Sequence, residues 1–348
     1  MRLPFEEIHA GNIMSSRVML YRNYAGLPFN TEPHPENADH VLELAEKGAM
    51  AYEAAHHTHF DLIPLVHMSR VQKNILREDR VLRQDPVPNP KAALLLCDGD
   101  SLHVNLNDRD HVIIHSASQG LRFSENAEKC YQMEKALQTE ESFAYDETFG
   151  YLSSSPMLCG TGMRLEANVH LPALVQCNKM GQIGQIVAKA RLRILSVMGV
   201  DGKAPAHIYR LENVTSLGRD EETLMMRLEQ VAQQLSRIED VLTDKLLKEK
   251  RAQVEDSIFR SYAILREARL MSFAEFLHHW SGLRMGARCR LLPLDEKQVD
   301  SLLYPMQEWH LKATMAERQT EENHTEGDVA EDEFRAELVR ERMRKMEK

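Results

Sequence analysis

Apolar residues recur along the chain with the spacing of strands and with the spacing of helices. The two patterns distinguish a mixed N-terminal part, called the front part below, from a helical C-terminal tail. Between residues 36 and 56 the apolar residues include Val41, Leu44 and Ala45, with the three- and four-residue spacing of a helix. The stretch at residues 85–90 (DPVPNP) is unsuitable for a helix because of its prolines and predicts a linker. The front part is therefore expected to begin with a helix and a linker.

The apolar runs after the linker predict strands of an antiparallel sheet. Residues 92–97, 102–106 and 111–114 are short and are separated by polar turns. A helix to about Thr139 follows them, with Ser124 as its predicted N-cap. We expect an antiparallel sheet with helices against it.

Two further signals extend this sheet. Residues 163–171 predict a strand that ends before Pro172, which begins a helical stretch. Residues 193–198 and 207–212 flank a glycine-rich turn and predict a hairpin or two strands joined by a loop.

Helical periodicity begins at Asp220 and continues through most of the remaining chain. Its apolar stripe, which predicts a packed helix face, consists of Leu224, Leu228, Val231, Leu235, Ile238 and Leu242. The predicted fold class is α+β. We expect a small helical N-terminal part at residues 1–88, an antiparallel-sheet core at 89–252 and a helical C-terminal module at 253–348.

Composition excludes several classes of protein. With 348 residues, 43% of them hydrophobic and 28% charged, the chain can form one or two apolar cores. The 53 acidic residues outnumber the 43 basic ones, which argues against nonspecific nucleic-acid binding. The chain shows no signal peptide or membrane-spanning run, and its five cysteines include no CxxC pair, so we expect a cytoplasmic protein without disulfides.

Four ordered segments carry a family resemblance. They are residues 15–23 (SSRVMLYRN), 107–111 (NDRDH), 150–164 (GYLSSSPMLCGTGMR) and the turn after Leu195. In order and spacing they resemble the SSRxRxxRN, NEEDHxR, GYLTxCPTNxGTGLR and RGxxGE motifs of the ATP:guanido phosphotransferases, the family of creatine and arginine kinases. The tail, with FRSYAIL at 259–265 and LRMG at 283–286, looks like the C-terminal module of bacterial protein arginine kinases. The resemblance implies the phosphagen-kinase fold over nearly the whole chain.

The resemblance implies a nucleotide site in which arginines surround the phosphates of Mg-ATP. Arginine suits this role because its planar guanidinium binds phosphate oxygens in pairs and stays charged. The five family arginines correspond here to Arg17, Met19, Ile113, Arg164 and Leu195. Three lost contacts would weaken binding by about 5–9 kcal/mol if they were additive. His67 matches a family histidine near the nucleotide, and a surface residue is an equally good interpretation.

The residues that would orient and deprotonate the guanidinium substrate are not retained in the implied site. A guanidinium must be oriented and must lose a proton as it attacks, and the two family carboxylates for this task correspond to Arg109 and Val200. The family's reactive cysteine corresponds to Ser155, which is not an anion at neutral pH. Asp108 and Asp201, beside the lost acids, are the candidates for a shifted base.

A second ligand site is implied near the C-terminus. Protein arginine kinases share an RDxxRA segment that binds phosphoarginine, and it corresponds to residues 331–336 (EDEFRA). Asp332 could hold a guanidinium and Arg335 a phosphate, whereas Glu331 replaces an arginine and would repel the anion.

Simpler structural interpretations stand beside these roles. Arg17 and Arg164 are equally well explained as members of structural salt bridges, and His111 is better explained as a packed histidine than as a catalyst. The histidines at positions 56, 57 and 59 predict a solvated helix end rather than a metal site. Trp280 is expected in the core rather than in a dimer interface.

The leading hypothesis is a pseudokinase that serves as a regulatory or client-binding scaffold in protein quality control. Its implied partners are arginine-bearing client proteins, components of a Clp-type protease or an active homologue, and the family implies a homodimer. The alternative is an active kinase that transfers the γ-phosphoryl group of Mg-ATP to protein arginines, with Asp108 or Asp201 as the base. A kinase for free arginine is a third and weaker hypothesis.

Overall fold

The central feature of the computed structural model is a large antiparallel sheet. The structure describes residues 11–30, 35–84, 88–200, 202–319 and 328–347. The strands are β1 (Ile13–Arg22), β2 (Phe60–Pro64), β3 (Ala93–Cys97), β4 (His103–Leu106), β5 (Val112–Gln119), β6 (Tyr145–Asp146), β7 (Gly150–Tyr151), β8 (Met163–His170), β9 (Leu192–Ser196) and β10 (Ile208–Asn213). Eight of them pair in the order β2-β3-β4-β5-β1-β8-β10-β9, and β6 and β7 form a separate hairpin.

Helices cover one face of the sheet and form the tail. They are α1 (Pro35–His56), α2 (Arg70–Glu78), α3 (Phe123–Leu137), α4 (Pro172–Gln176), α5 (Met180–Lys189), α6 (Glu221–Glu249), α7 (Arg251–Glu267), α8 (Phe273–Arg288), α9 (Glu296–Asp300), α10 (Glu308–Gln319) and α11 (Asp328–Met346). The predicted stripe on α6 is confirmed as a packed face, because Leu224, Leu228 and Leu235 lie in the core beneath the sheet. Among the described residues, none of the helices combines the length and apolar character needed to cross a membrane.

Strand β1 lies at the centre of the sheet, between β5 and β8. Periodicity did not reveal this strand because Val18, Met19, Leu20 and Tyr21 are all buried, so apolar residues do not alternate with polar ones. Residues 13–22 and 60–64 therefore belong to the same sheet as the residues after the linker.

The strands predicted after the linker and the hairpin near residue 200 are confirmed, with small shifts of their bounds. The prediction that Ser124 caps α3 is wrong. The helix begins at Phe123, and Arg122 occupies the N-cap position. Phe123 is fully buried, and the hydroxyl of Ser16 on β1 accepts a hydrogen bond from the backbone N–H of Arg122 at 2.8 Å. Tertiary contacts, rather than a local cap, therefore determine where the helix starts.

The C-terminal helices build a second apolar core that joins the sheet. Trp280 is fully buried there, as predicted, and its ring N–H donates to the carbonyl of Val299 at 2.9 Å. Ile208 of β10 belongs to the same apolar cluster. Helix α10 contacts α2, where the backbone N–H of Trp309 donates to the Glu78 carboxylate at 2.9 Å. The tail is thus attached to the core beside the end of α2.

Candidate active site

A cleft of about 250 Å³ lies over one face of the sheet, opposite the apolar core. Its floor consists of alternate residues from five neighbouring strands, whereas the intervening residues, such as Val18 and Leu165, point into the core. Residues 77 and 80–84, at and after the end of α2, form its wall. All five positions of the implied arginine cage line this cleft: Arg17, Met19, Ile113, Arg164 and Leu195.

Two of the lost arginine positions have become an apolar patch. Met19 and Ile113 are 5% and 0% exposed and form a separate cluster with Tyr21 and Leu158. Leu158 belongs to the loop that follows Ser155, so this loop packs onto the positions from which arginine is missing. Leu195, the third lost position, remains more exposed, at 36%.

The cleft nevertheless contains many arginines. Seven of them line it: Arg17, Arg77, Arg80, Arg83, Arg164, Arg193 and Arg210. Only two of these seven, Arg17 and Arg164, occupy positions of the implied cage. The other five come from the end of α2, the loop after it, β9 and β10. Positive charge has therefore been supplied from elsewhere in the fold.

Two glutamates stand among these arginines on the floor of the cleft. In the strand register Arg17 is opposite Glu166, Glu166 is opposite Glu212, and Glu212 is opposite Arg193. This places an Arg–Glu–Glu–Arg row across four adjacent strands. Like charges that face each other across strands are destabilising unless counterions lie beside them. The flanking arginines supply those counterions.

The ion pairs of this row are short. Arg80 Nη2 lies 2.7 Å from Glu166, Arg210 Nε lies 3.2 Å from Glu212, and Arg193 is hydrogen-bonded to Glu212. Burial alone would raise the pKa of Glu166, but Arg80, Arg210 and Arg17 lower it below its usual value. Glu166 is therefore ionised at neutral pH, and carboxylates of the protein occupy the arginine-rich floor.

Arg17 itself holds the chain after α2. Its guanidinium donates to the backbone carbonyl of Arg80 and, at 3.5 Å, to that of Asp79. Burial and the neighbouring Arg80 lower the pKa of Arg17 to about 10, so it stays charged at neutral pH. These contacts favour a structural role for Arg17 over a role in which its guanidinium is free to bind phosphate.

The predicted acceptor residues lie in two loops that contact each other. Asp110 accepts hydrogen bonds from the backbone N–H of Ser154 at 2.8 Å and from Asn23 at 2.6 Å. This contact brings the loop of Arg109, which is exposed, beside the loop of Ser155. A cationic residue rather than a carboxylate therefore stands in the loop next to the loop of Ser155.

The candidate base Asp108 is held by other groups of the protein. Asp108 is 7% exposed, accepts from the backbone N–H of Arg109 at 2.8 Å and lies 3.6 Å from Arg83. Val200, at the other lost acid, packs against the apolar cluster of the C-terminal helices. Asp201 lies outside the described residues.

His67 and His111 differ in their exposure to solvent. His67 is exposed on a short 3-10 turn before α2 and lines neither the cleft nor the cavity next to it. His111 is fully buried; its Nδ1 accepts from the backbone N–H of Tyr24 at 3.1 Å, and its Nε2 lies 2.9 Å from the carbonyl of Pro28. His111 is therefore a packed histidine, as predicted.

The segment that corresponds to the phosphoarginine site is occupied by internal contacts. Arg335 is 3% exposed and donates to Asp332 at 2.6 Å and to the carbonyl of Met271 at 2.9 Å. Glu331 lies 3.3 Å from Lys312. Asp332 and Arg335, the two groups expected to hold a ligand, thus bind each other.

A second cavity, of about 380 Å³, adjoins the cleft. Both spaces are lined by Arg17, Arg80 and Glu166, and the second is bounded on its other side by Leu303 and Tyr304 of the C-terminal module. Glu166 therefore stands at the junction of the two spaces.

Five of the cleft arginines and both glutamates were not predicted from the sequence. One signal was present in β8 and β10, where the charged residues Arg164, Glu166, Arg210 and Glu212 occur at every second position and mostly alternate with apolar ones. This alternation indicates a charged sheet face. Arg77 and Arg80 carry no such signal, because a packed helix end brings them to the cleft.

Comparison with protein families gives two matches that together cover most of the chain. Residues 43–242 match the model of the ATP:guanido phosphotransferase C-terminal catalytic domain. Residues 251–348 match the model of the protein-arginine kinase McsB C-terminal domain.

Individual proteins give the same picture. The protein-arginine kinase of Bacillus cereus (strain AH187) is 28% identical over 274 residues, which cover 79% of this chain and 77% of that protein. The corresponding protein of Bacillus anthracis (strain A0248) is 27% identical over the same length.

Solved structures show a similar fold. Lombricine kinase has a TM-score of 0.57 at 19% identity, with 69% of this chain and 70% of that chain covered. The duplicated taurocyamine kinase of Schistosoma mansoni, with bound components of a transition-state analogue, has a TM-score of 0.56 at 22% identity and covers 69% of this chain and 35% of its own. The phosphagen-kinase fold predicted from the sequence is thereby confirmed.

Proposed function

Since the chain belongs to the ATP:guanido phosphotransferase family and carries the C-terminal domain of protein-arginine kinases, we propose that it is a pseudokinase. In this role it binds proteins as a regulatory or client-docking scaffold in protein quality control and does not transfer phosphoryl groups.

The observation that carries the proposal is the row of charges on the cleft floor. Glu166 and Glu212 place two carboxylates of the protein among the arginines that line the cleft, where the family resemblance implies the phosphates of Mg-ATP. A bound triphosphate would have to displace these ion pairs or lie against two negative charges. The occupied cleft therefore favours a non-catalytic protein.

The acceptor side supports the same proposal. Proton abstraction needs a base within hydrogen-bond reach of the attacking nitrogen. Arg109 is cationic, Val200 is packed against the C-terminal module, and Asp108 is held beside Arg83. The retained C-terminal module and the net charge of −10 suit attraction of basic, arginine-bearing clients or pairing with an active homologue.

A phosphorylation assay tests the proposal. The purified protein is incubated with Mg-ATP and an unfolded arginine-rich protein, and new phosphoarginine is measured by mass spectrometry under conditions that preserve the acid-labile bond. We expect none, whereas the Bacillus cereus protein-arginine kinase, used as a control, should modify the same client. Phosphoarginine that depends on this protein would overturn the proposal.

The binding half of the proposal has its own measurement. The arginine-rich client should bind the protein without ATP, and a client in which arginines are replaced by glutamine should bind more weakly. Equal binding of the two clients would contradict recognition of arginine.

A second candidate function is ATP-dependent arginine phosphorylation. The observation that favours it is the set of seven arginines that still lines the cleft. It requires a base, and Asp108 is the described candidate. If the assay shows a rate, Asp108→Ala should abolish it, whereas Asp98→Ala, a change in an exposed turn, should not. An unchanged rate in Asp108→Ala would exclude this base.

A cytoplasmic location, a homodimer and Clp-type protease partners remain predictions. Sedimentation velocity of the purified chain would test the dimer directly.

A further inference from the structure

Four large apolar side chains are exposed around the hairpin of β6 and β7, beside the acceptor loops. Tyr145 is 63% exposed, Phe149 54%, Met157 46% and Leu217 43%. Single apolar residues scattered over a surface are normal, whereas several on segments that contact one another indicate a place where another molecule binds. The contacts between their segments decide whether these four belong to one surface.

The three segments that carry these side chains are joined through Gly160. The backbone N–H of Tyr151, in the hairpin, donates to the carbonyl of Gly160 at 2.8 Å. A Cβ added at Gly160 would lie 2.8 Å from the Cα of Leu217, and the backbone N–H of Ser216 donates to the carbonyl of Met157 at 3.1 Å. The hairpin, the loop of Met157 and the turn before α6 therefore meet at one place.

The hairpin holds its exposed aromatic rings in fixed positions. Asp146 Oδ1 accepts a hydrogen bond from the backbone N–H of Phe149 at 2.9 Å. Tyr145 packs edge-to-face on Tyr151, with ring centroids 5.4 Å apart. Tyr151 in turn lies against the buried guanidinium of Arg22, whose central carbon is 3.6 Å from the ring centroid. Rings that are already ordered lose little conformational freedom when a partner binds.

The hairpin side of this surface is acidic. Residues 140–160 contain four acidic residues and no lysine or arginine. One of the four, Glu140, is paired with Lys47 at 2.6 Å, whereas Glu147 is exposed in the hairpin turn and forms no ion pair with the residues that the structure describes. Negative charge therefore stands beside the exposed aromatic rings.

The start of α6 adds charge of the same sign. Residues 217–222 (LGRDEE) contain three acids and one arginine, Arg219. Burial and the carboxylates of Glu134 and Glu221 raise the pKa of Tyr151, which places Glu221 near the hairpin. An excess of negative charge around exposed apolar side chains repels an acidic surface and attracts a basic one. A partner that fits should therefore carry both apolar and basic side chains.

We propose that Tyr145, Phe149, Met157 and Leu217, together with Glu147, form a hairpin surface that docks a basic amphipathic segment of a protein partner. Basic side chains of this segment approach the carboxylates and stack on the aromatic rings, and its apolar side chains cover the methionine and the leucine. Lysine serves here as well as arginine, so the hairpin surface differs from a site that orients a guanidinium for reaction. The inference rests on the scaffold role proposed above and names the surface that performs it.

Fluorescence anisotropy with a short labelled peptide, in which lysine alternates with leucine, tests the hairpin surface. The wild-type protein should bind the peptide, and Phe149→Ser and Glu147→Lys should each weaken binding by roughly tenfold. The matched control for the ring is Phe259→Ser, because Phe259 is 49% exposed on α7 of the C-terminal module. The control for charge is Asp98→Lys, in the exposed turn between β3 and β4. Both controls should bind the peptide as the wild type does.

Several outcomes would overturn the proposal. The first two are no binding by the wild-type protein and the same affinity in Phe149→Ser as in its control. Met157→Ser, on another segment of the hairpin surface, should also weaken binding and decides the question if Phe149→Ser fails to fold. A peptide with glutamate in place of lysine should not bind, and equal binding of the two peptides would exclude recognition of basic side chains.

A second copy of the chain is the other occupant that the experiment distinguishes. If the wild-type protein sediments as a dimer and Phe149→Ser as a monomer, the hairpin surface belongs to self-association and the proposed partner is wrong. Phosphoarginine formation, by contrast, would overturn the proposed function and leave the peptide result standing. Unchanged peptide binding in the hairpin variants would overturn this surface alone, since the lack of phosphoryl transfer does not depend on it.

Discussion

The arginine cleft and the acceptor loops have departed from the family pattern in different ways. In the cleft, three implied arginines are missing, but five arginines from other positions line the same space. In the acceptor loops, Arg109 and Val200 stand at the positions of two implied acids, and Asp108, the described acid nearby, is engaged with Arg83.

Anion binding by arginines and proton transfer by a base depend differently on distance, and this explains the contrast. Attraction between charges falls off slowly, so a guanidinium can contribute to a cleft from several positions of the fold. Proton transfer requires a heavy-atom distance of about 3 Å and correct alignment, so a base at a neighbouring residue works only where the backbone brings it to the same point. A binding role can therefore survive substitutions that end catalysis.

The largest expected effect is on the free energy of unfolding when arginine is restored at a lost position of the cage. Ile113→Arg would place a charge in the apolar patch of Met19, Tyr21 and Leu158, so we expect a loss of about 3–5 kcal/mol in the free energy of unfolding. Leu195→Arg, at a position with 36% exposure, should change it by less than about 1 kcal/mol. Urea denaturation measures both variants. Equal stability of the two would contradict the apolar patch.

A smaller effect is expected when an internal carboxylate is removed. Glu212→Gln leaves Arg193 and Arg210 without their counterion, so stability should fall by about 1–3 kcal/mol, a range reduced because both arginines contact solvent. Glu147→Gln, in an exposed turn, is the control. Urea denaturation measures both variants, and an unchanged free energy of unfolding in Glu212→Gln would contradict the ion pairs on the cleft floor.

The smallest effect concerns the attachment of the tail beside the cleft. Burial alone would lower the pKa of His310, but Asp79 and Glu78, at 3.2 and 2.8 Å, raise it to about 9. A raised pKa in the folded state means that the stabilisation is complete below about pH 6.5 and is lost as the pH rises through 9. We expect a loss of about 1–2 kcal/mol, discounted for partial exposure.

Thermal unfolding at several pH values measures this loss. His310→Gln should be less stable at pH 7 and should lack the additional decline near pH 9, whereas His67→Gln, at an exposed position, should follow the wild-type profile. A decline near pH 9 that is identical in His310→Gln would assign it to other groups.

Much of the fold could be predicted from local pattern and from ordered motifs. The strands after the linker, the hairpin near residue 200 and the stripe on α6 have clear periods, and the five implied cage positions do meet in one cleft. The charges that replace the cage could not be predicted, because they depend on pairing register. Only the alignment of β8 with β10 shows that Glu166 faces Glu212.

Other contacts depend on tertiary packing alone. Arg77 and Arg80 reach the cleft because α2 packs beside the sheet, where α10 contacts it. Likewise, Arg335 donates hydrogen bonds to Asp332 and to the backbone carbonyls of Met271 and Met306, and the sequence motif carries no signal for these contacts.

The central position of β1 in the sheet affects how the chain folds during its synthesis on the ribosome. Its partners are residues 112–119 and 163–170, so β1 has no neighbouring strand until both of these later segments have left the exit tunnel. At ordinary synthesis speeds this interval is on the order of 10 s. During that time the apolar run Val18–Tyr21 is exposed in the nascent chain. A chaperone that holds this segment would raise the yield of folded protein more than one that acts on the tail.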